Sequence, residues 1–426
     1  MTENNGLNVK VTDSATEEIE LSENVRLLDA DSGDENQNDR SLDNIEIVTS
    51  TENQIPQRKK ESNRVYWIDC LRIYACYIVV ITHVSWYHLD REQGSWQQAV
   101  ANFYQGSTRA CVPFFIMISG IFFLKPTKNL PYKVIFNKYI YRILKSYIFW
   151  CVFYALVYRH FISGDVSFLF NKKDLIDTIR FCLLGSDHLW YLNFVMGLYI
   201  LTPIYRAITA DRDLAKYTIL ICSIAFQIVP TIVHLVAFYL KFEQINILRD
   251  FFNKLQLEMA GSYSVYYILG YLLSIYEFKK RRNIYLIYGA GILGTFLTAF
   301  FFVYDTIKQG KIEAYMINFN CFNVVMSTVG GFLFFQYTVN DWIQPFVSKP
   351  WFTKTINLLS ECSFGIYLWH LFVLKVLHRL GFNGNRFAGS EFSTVIGIPL
   401  ISTITFIICL IITYIMRKIP VLKEFT

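Results

Sequence analysis

The chain has 426 residues, 53% of them hydrophobic and 17% aromatic, and its mean hydropathy is +0.31. Charged residues make up only 17%, against about 25% in soluble domains, so the composition excludes an ordinary soluble globular protein. The net charge of +6 is modest and its basic residues fall at the edges of apolar runs, which argues against a nucleic-acid partner.

The chain opens with a polar, acidic segment. Residues 1–57 hold 14 Asp and Glu against three Lys and Arg, with no sustained periodicity. Such a segment cannot bury enough apolar area to offset the entropy of ordering. We therefore expect residues 1–64 to form a disordered cytosolic tail, with a partner-binding or regulatory role as the alternative. The first apolar run begins too late for a signal peptide.

Long apolar runs follow residue 64, and a helix needs roughly 20 apolar residues to span a bilayer. Ten stretches are candidates, although the sixth is short: 66–88, 106–124, 140–160, 188–205, 216–238, 262–276, 284–303, 317–338, 357–378 and 393–416. They predict an all-α polytopic membrane protein with about ten transmembrane helices over residues 65–418. Residues 419–426 are expected to form a cytosolic C-terminal tail.

Loop charges predict the orientation, because cytoplasmic loops accumulate Lys and Arg. With a cytosolic N-terminus, the segments on the inside hold 22 basic residues and those on the outside hold 12. Both termini are therefore predicted to be cytosolic. The nine Cys are scattered singly without a CxxC pair, so they are read as small buried hydrophobes and no metal site is predicted.

Within the first apolar stretch, residues 68–86 contain an Asp, an Arg and a His, namely Asp69, Arg72 and His83. An ionisable side chain inside the bilayer costs at least about 2.5–3.5 kcal/mol and normally faces the bundle interior. Asp69 and Arg72, three apart, can pair on a helix. His83 lies 11 residues beyond Arg72, three turns or roughly 16 Å along the same face. The alternatives are an Arg72 that snorkels to the headgroups and a His83 that only packs.

Four segments carry a family resemblance: IDCLRIYACYIVVITHVS (68–85), RACVPFFIMISGIFFL (109–124), DHLWYLNFVMGLYILTPIYR (187–206) and SECSFGIYLWHLFVL (360–374). In order and spacing they resemble the acyltransferase 3 family of integral-membrane O-acyltransferases, particularly its bacterial sugar O-acetyltransferase branch. The resemblance covers residues 66–416. It implies transfer of an acetyl group, from acetyl-CoA or another acyl-CoA as co-substrate with no bound cofactor, to a hydroxyl of a sugar or glycolipid acceptor.

The resemblance also implies roles for individual residues. His83 matches the catalytic His of the family, a suitable general base at neutral pH, and Arg72 matches its preceding Arg. A cytosolic Arg-x-x-Arg element has its best match in Arg142-Ile-Leu-Lys145, where Lys keeps the charge but not the bidentate fork. Arg72, Arg142, Lys145 and Lys138 are thus candidates to bind the acyl-CoA phosphates, with Asp69 in support. Ordinary positive-inside charge is the alternative for the loop residues.

Further polar residues are candidates for the acceptor site. His370, Tyr367 and Ser363 share one face of the ninth stretch, and His188 and Trp190 begin the fourth at its outer edge, where Trp is also a common interface anchor. For His370 the alternative is a hydrogen bond to a carbonyl of a neighbouring helix. Arg109 and Ser107 are read as interfacial. Ser119-Gly120 lacks the context of a nucleophile and indicates close helix packing instead.

Two other functions compete with the enzyme. A transporter or exporter of a lipid-linked sugar or small solute would also use a buried Arg and His, although the paired Gly/Pro-interrupted segments of inverted-repeat transporters are missing. A scaffold protein with an acidic tail is the third. The expected location is the plasma membrane in a bacterium, and an endomembrane or the plasma membrane in a eukaryote.

Overall fold

A computed structural model of the chain describes residues 64–89, 94–126, 130–158, 176, 179–180, 187–249, 263–382 and 393–426. The acidic tail predicted over residues 1–64 lies outside the described residues, apart from its last one. Residues Tyr66–Thr426 form one compact unit. Its described part is helical and contains no strand.

The helices of the described ranges are α1 (Tyr66–Trp86), α2 (Trp96–Ser107), α3 (Cys111–Phe123), α4 (Tyr141–Phe153), α5 (Trp190–Ile200), α6 (Thr202–Ala210), α7 (Arg212–Ser223), α8 (Val229–Tyr239), α9 (Ser264–Ile275), α10 (Arg281–Gln309), α11 (Phe322–Leu333), α12 (Asn340–Val347), α13 (Pro350–Arg379) and α14 (Ser393–Met416). π-Helical turns extend or join some of them, at Ile135–Ile140, Tyr154–Tyr158, Ile224–Ile228 and Phe334–Val339. Helices dominate because backbone polar groups in lipid must be satisfied within the segment itself.

The ten predicted apolar stretches all correspond to helical segments of the described chain. Eight segments are long and apolar enough to cross a membrane, and the bent pair α5–α6 raises the number to nine. The remaining stretch, the sixth in chain order, is the short apolar helix α9. The prediction of an all-α polytopic membrane protein is confirmed.

The second span is not one continuous helix. It begins at Trp96, ten residues before the predicted stretch, where Ser95 caps α2 by accepting a hydrogen bond from the backbone N–H of Gln98. The helix ends at Ser107, and α3 begins only at Cys111. The turn at residues 108–110 therefore lies inside the span Trp96–Phe123.

Helices α1 and α13 run parallel and pack side by side. Asp69 contacts Ser360 near the beginning of α13, and the Cys76 thiol donates to the carbonyl of Ser363 one level further along. Because α14 returns antiparallel to α13, both ends of the compact unit lie at the Asp69 end of the bundle, as an even number of spans requires. We call this the inner end, since the loop charges predict that it faces the cytosol.

Small residues allow α3 and α9 to touch through their backbones. A Cβ placed on Gly120 would lie 2.0 Å from the carbonyl oxygen of Tyr267, and one on Gly270 would lie 2.2 Å from that of Met117. Ser119 donates its hydroxyl to the carbonyl of Phe115 within its own helix. The close packing predicted for Ser119-Gly120 is confirmed.

The last residues fold back onto α4. A single helical turn at Pro420–Lys423 leads to Phe425, whose ring stacks on that of Phe149 with centroids 4.4 Å apart. The indole N–H of Trp150 donates to the carbonyl oxygen of Phe425 over 3.0 Å. The segment predicted as a tail is therefore packed against the bundle.

Candidate active site

Three histidines from distant parts of the sequence meet inside the bundle. His83 lies near the end of α1, His188 in the 3₁₀ turn that precedes α5, and His370 in the middle of α13. The ring centroids of His83 and His370 are 4.9 Å apart, and those of His188 and His370 are 5.4 Å apart. We call these three residues the histidine cluster.

The imidazole of His370 is held by its own helix. Its Nδ1 lies 2.5 Å from the carbonyl oxygen of Tyr367, which can only accept a hydrogen bond. In a neutral ring Nδ1 is then the donor and Nε2 the acceptor. Nε2 is buried and has no hydrogen-bond partner, so it is available to a bound molecule. The carbonyl that His370 contacts belongs to its own helix and not to a neighbouring one, and this contact leaves the second nitrogen unused.

His188, which is predicted to begin the fourth stretch at its outer edge, is buried between neighbouring side chains. Its side chain is in edge contact with Tyr154, with centroids 4.8 Å apart, and both of its ring nitrogens lack a hydrogen-bond partner. The hydroxyl of Tyr367 donates to the carbonyl oxygen of His188 over 2.5 Å, which ties the turn before α5 to α13. Tyr367 and His188 thus belong to the same site as His370.

A second polar group lies at the inner end of the bundle. Arg72 Nη1 donates to the hydroxyl of Ser360 over 3.0 Å and lies 3.5 Å from Asp69 Oδ1. Ser360 in turn donates to Asp69 over 2.5 Å. The pairing of Asp69 with Arg72 follows from their three-residue spacing, whereas the participation of Ser360 does not. The Arg72 guanidinium also lies over the ring of Phe122, 5.7 Å from its centroid.

Tyrosines connect the inner polar group with the histidine cluster. Tyr199 and Tyr191, on α5, both lie in electrostatic range of Arg72. The ring of Tyr191 is 5.9 Å from that of Tyr367, and Tyr367 is 5.9 Å from His370, measured between centroids. Ring contacts join Tyr191, Tyr367 and His370, while Arg72 is linked to Tyr191 and Tyr199 through electrostatic interaction. We call this series of side chains the polar path, and its assembly is not predicted from the sequence.

The basic loop residues surround the C-terminal segment. Lys145 forms an ion pair with Glu424, and Arg142 Nη2 donates to the carbonyl oxygen of Thr426 over 3.4 Å. Arg142 also interacts electrostatically with Tyr199, which lies near the end of α5. Lys138 is exposed on the π-helical turn before α4. Arg142 is thus oriented toward the path, while Lys145 is engaged by an acidic residue.

Two acceptor-site candidates lie apart from the histidine cluster. Ser363 donates its hydroxyl to the carbonyl of Ser360, on the inner side of the cluster. Trp190 is 40% exposed and its ring stacks near Phe319, with centroids 6.2 Å apart. Trp190 therefore borders the site from an aromatic wall, whereas Ser363 is used within its own helix.

Arg109 joins the site, although the sequence analysis reads it as interfacial. It lies in the turn between α2 and α3, in electrostatic range of His83. The hydroxyls of Thr82 and Thr108 are 2.7 Å apart, and this contact holds that turn against the His83 end of α1. The sequence offers one signal for including Arg109 in the site. It is a charged residue directly before the apolar run ACVPFF, inside a membrane span.

Comparison with known proteins identifies the family of the chain. The family model described as "Acyltransferase domain" matches residues 65–414. The chain therefore belongs to the acyltransferase 3 family and is a membrane-integral acyltransferase. No curated protein and no solved structure matches it.

Proposed function

We propose that this protein transfers an acetyl group from cytosolic acetyl-CoA to a hydroxyl of a sugar or glycolipid, with His83 as the general base. The observation that carries the proposal is the polar path between Arg72, at the inner end of α1, and the histidine cluster. One member of that cluster, His83, lies further along the same helix. A donor molecule with phosphates at one end and a thioester at the other fits such a path.

The inner end has the chemistry of a phosphate site. Arginine matches phosphate geometry and makes charge-assisted hydrogen bonds to it. Arg72 reaches that position already oriented by Ser360 and Asp69. Arg142 adds a second cation near Tyr199, and Lys138 and Lys145 add positive charge at the same end. The pantetheine arm of coenzyme A would then extend along Tyr199, Tyr191 and Tyr367.

The histidine cluster has the chemistry of acyl transfer. A hydroxyl attacks a thioester carbonyl effectively only when a base removes its proton, and histidine serves at neutral pH. His83 and His370 bring two imidazoles to one place, and the tautomer of His370 leaves Nε2 free to accept a hydrogen bond. His370 and His188 would hold the acceptor hydroxyl while His83 takes the proton.

The acceptor side is aromatic. Trp190, Tyr263 and Phe319 lie together beyond the cluster, with ring centroids 6.2–6.4 Å apart in pairs. Flat apolar faces beside polar groups suit the alternating C–H and hydroxyl surfaces of a sugar ring. This wall supports a carbohydrate acceptor over a small alcohol.

The test uses the purified full-length protein in detergent, where no sealed compartment exists. Thiol release from acetyl-CoA is measured with methyl β-glucoside as a model acceptor, for the wild type, His83→Ala and His378→Ala. His378 is an exposed histidine at the end of α13 and serves as the matched control. We expect the wild type and His378→Ala to turn over and His83→Ala to lose about 10²–10⁴-fold of kcat. A wild type that releases no thiol from any acyl-CoA of a chain-length series would overturn the proposal and favour transport.

A further inference from the structure

The side chain of Arg109 has an unusual environment for a cation inside a membrane protein. Its guanidinium lies over the ring of Phe319, 5.4 Å from the centroid, and its buried Nε has no hydrogen-bond partner. Within the described ranges, no Asp or Glu lies within salt-bridge distance of it. Ion pairs that the structure does show in those ranges include those of Arg72, Lys145, Lys216 and Arg417.

A buried positive charge without a counterion is costly. Cation–π contact with a phenylalanine recovers only about 0.5–2 kcal/mol, less than the desolvation of an ion. Such a residue is retained where a negative charge arrives during function. In this protein the charge would arrive near His83, because Thr82 and Thr108, the residues that precede His83 and Arg109, are in hydroxyl contact at 2.7 Å.

Local structure holds Arg109 at this position. The span Trp96–Phe123 breaks between α2 and α3, so that residues 108–110 form a turn at the level of His83. Thr108 is tied to Thr82, the residue before His83, by a hydroxyl contact of 2.7 Å. One turn further along α1, Ser85 donates to the side-chain carbonyl of Gln105 over 2.8 Å. These two hydrogen bonds fix the register of the Arg109 turn relative to the base.

We propose that the Arg109 guanidinium stabilises the oxyanion that forms on the thioester carbonyl during transfer. This inference rests on the proposed function and extends it to a second catalytic residue. The acceptor oxygen attacks the carbonyl carbon, forming the C–O bond, and its proton passes to an imidazole nitrogen of His83. The π electron pair of the carbonyl moves onto its oxygen, which becomes the anion beside Arg109. When the C–S bond breaks, that pair re-forms the carbonyl, and the departing thiolate takes the proton from His83.

The proximity of Arg109 to His83, which becomes a second cation when it takes up the proton, is consistent with this sequence of steps. Proton uptake by His83 next to Arg109 would be unfavourable if no anion formed at the same time. The oxyanion appears in that same step, so the net charge of the site does not rise, and the anion attracts both cations. A preorganised cation in a water-poor site needs no reorganisation at that moment, which is why such groups contribute strongly to catalysis.

The experiment compares Arg109→Met, Arg109→Lys and, as a matched control, Arg282→Met at the exposed beginning of α10. Steady-state transfer from acetyl-CoA to methyl β-glucoside gives kcat and KM. Titration calorimetry gives the affinities of acetyl-CoA and of a methylphosphonothioate ester of CoA, whose tetrahedral phosphorus carries a fixed negative charge. We expect Arg109→Met to lower kcat by about 10²–10³-fold, the loss typical of a removed oxyanion donor.

Binding separates an electrostatic role from a structural one. Affinity for the charged analogue should fall in parallel with kcat in Arg109→Met, affinity for acetyl-CoA should change less than threefold, and Arg109→Lys should recover part of both losses. Equal losses of affinity for both ligands, an unchanged kcat, or a loss confined to the KM of the acceptor would overturn the inference. Failure of the proposed function looks different, because the wild type itself would then release no thiol.

Discussion

The imidazole rings of His83 and His370 lie 4.9 Å apart on two helices that run parallel through the bundle. The Nδ1 of His370 is committed to the carbonyl oxygen of Tyr367, so its Nε2 faces the site as an acceptor. Nε2 of His370 can accept a hydrogen bond from the substrate hydroxyl that is to be deprotonated. Alternatively, it can accept a hydrogen bond from a ring N–H of His83 and so fix the tautomer of that base.

His370 is therefore expected to act with His83 rather than to replace it. We predict that His370→Ala lowers kcat by about tenfold, equivalent to about 1.4 kcal/mol of barrier, and leaves the affinity for acetyl-CoA unchanged. Kinetics combined with titration calorimetry measures both quantities. In the double variant with His83→Ala the two losses should not add, because residues that act as a unit are non-additive. Fully additive losses would show that His370 acts independently of the base.

Arg72 is expected to dominate donor affinity. A hydrogen bond to a charged group contributes about 1.5–3 kcal/mol, so Arg72→Gln should weaken acetyl-CoA binding by about 10–100-fold. Because this change also removes the cation beside the buried Asp69 carboxylate, the double variant Asp69→Asn/Arg72→Gln is needed. It should bind as weakly as the single variant while unfolding at a higher temperature. Recovery of donor affinity in the double variant would show that Arg72 serves only to neutralise Asp69.

The loop cations should contribute less to donor binding than Arg72. Lys145 is partly exposed and paired with Glu424, and exposed ion pairs contribute only about 0–1 kcal/mol. We predict that Lys145→Ala weakens acetyl-CoA binding less than fivefold at 150 mM salt (about 1 kcal/mol). The measurement is a titration at two ionic strengths, with Lys216→Ala, an exposed lysine paired with Asp213, as the control. A loss as large as that of Arg72→Gln would place Lys145 directly on a phosphate.

The membrane topology could be predicted from the sequence because apolar length is a local property. Each of the ten stretches is helical in the structure, although the second and the fourth are each divided between two helices. The spacing of Asp69, Arg72 and His83 correctly places them on one face of α1. The break at residues 108–110 was not predictable from such lengths, because no glycine or proline interrupts Thr108-Arg109-Ala110. The position of this turn depends on tertiary contacts, those of Thr108 with Thr82 and of Gln105 with Ser85.

The assembly of the site could not be predicted for a related reason. Helices that are apolar on all sides carry no periodicity that identifies their neighbours, so nothing local indicates that α1 packs beside α13. His188 begins the fourth stretch, and no local pattern links it to the ninth. Only the tertiary packing brings its ring to 5.4 Å from that of His370, measured between centroids. The family resemblance identified His83, whereas its partners depend on tertiary packing.

Backbone contact between α3 and α9 makes Gly120 irreplaceable. A Cβ there would lie 2.0 Å from the carbonyl oxygen of Tyr267, so the two helices would have to separate. We predict that Gly120→Ala lowers the yield of monodisperse protein and its melting temperature by several degrees. Gly289→Ala is the matched control, because a Cβ at Gly289 meets no atom within 4 Å. That variant should be neutral or slightly stabilised, since alanine is favoured over glycine in a helix by up to about 1 kcal/mol.

The C-terminal segment is expected to stabilise the inner end of the bundle. The ring of Phe425 stacks on Phe149, and the neighbouring Trp150 donates to the Phe425 carbonyl. Aromatic pairs contribute about 0.5–1.5 kcal/mol beyond the area that they bury. Phe425→Ala removes the aromatic pair and the area buried by the ring, while the main-chain carbonyl that accepts from Trp150 remains. We predict a clearly lower melting temperature in detergent.

A control from the same segment distinguishes this contact from general sensitivity of the C-terminus. Val421 is 69% exposed, so Val421→Ala should leave the melting temperature unchanged. Phe425→Leu keeps most of the buried area but loses the stacked geometry, and it should fall between the wild type and Phe425→Ala. Since Arg142 and Lys145 contact the same segment, donor affinity is measured in parallel. A rise in acetyl-CoA affinity in Phe425→Ala, with no loss of stability, would show that the segment competes with the donor rather than supporting the fold.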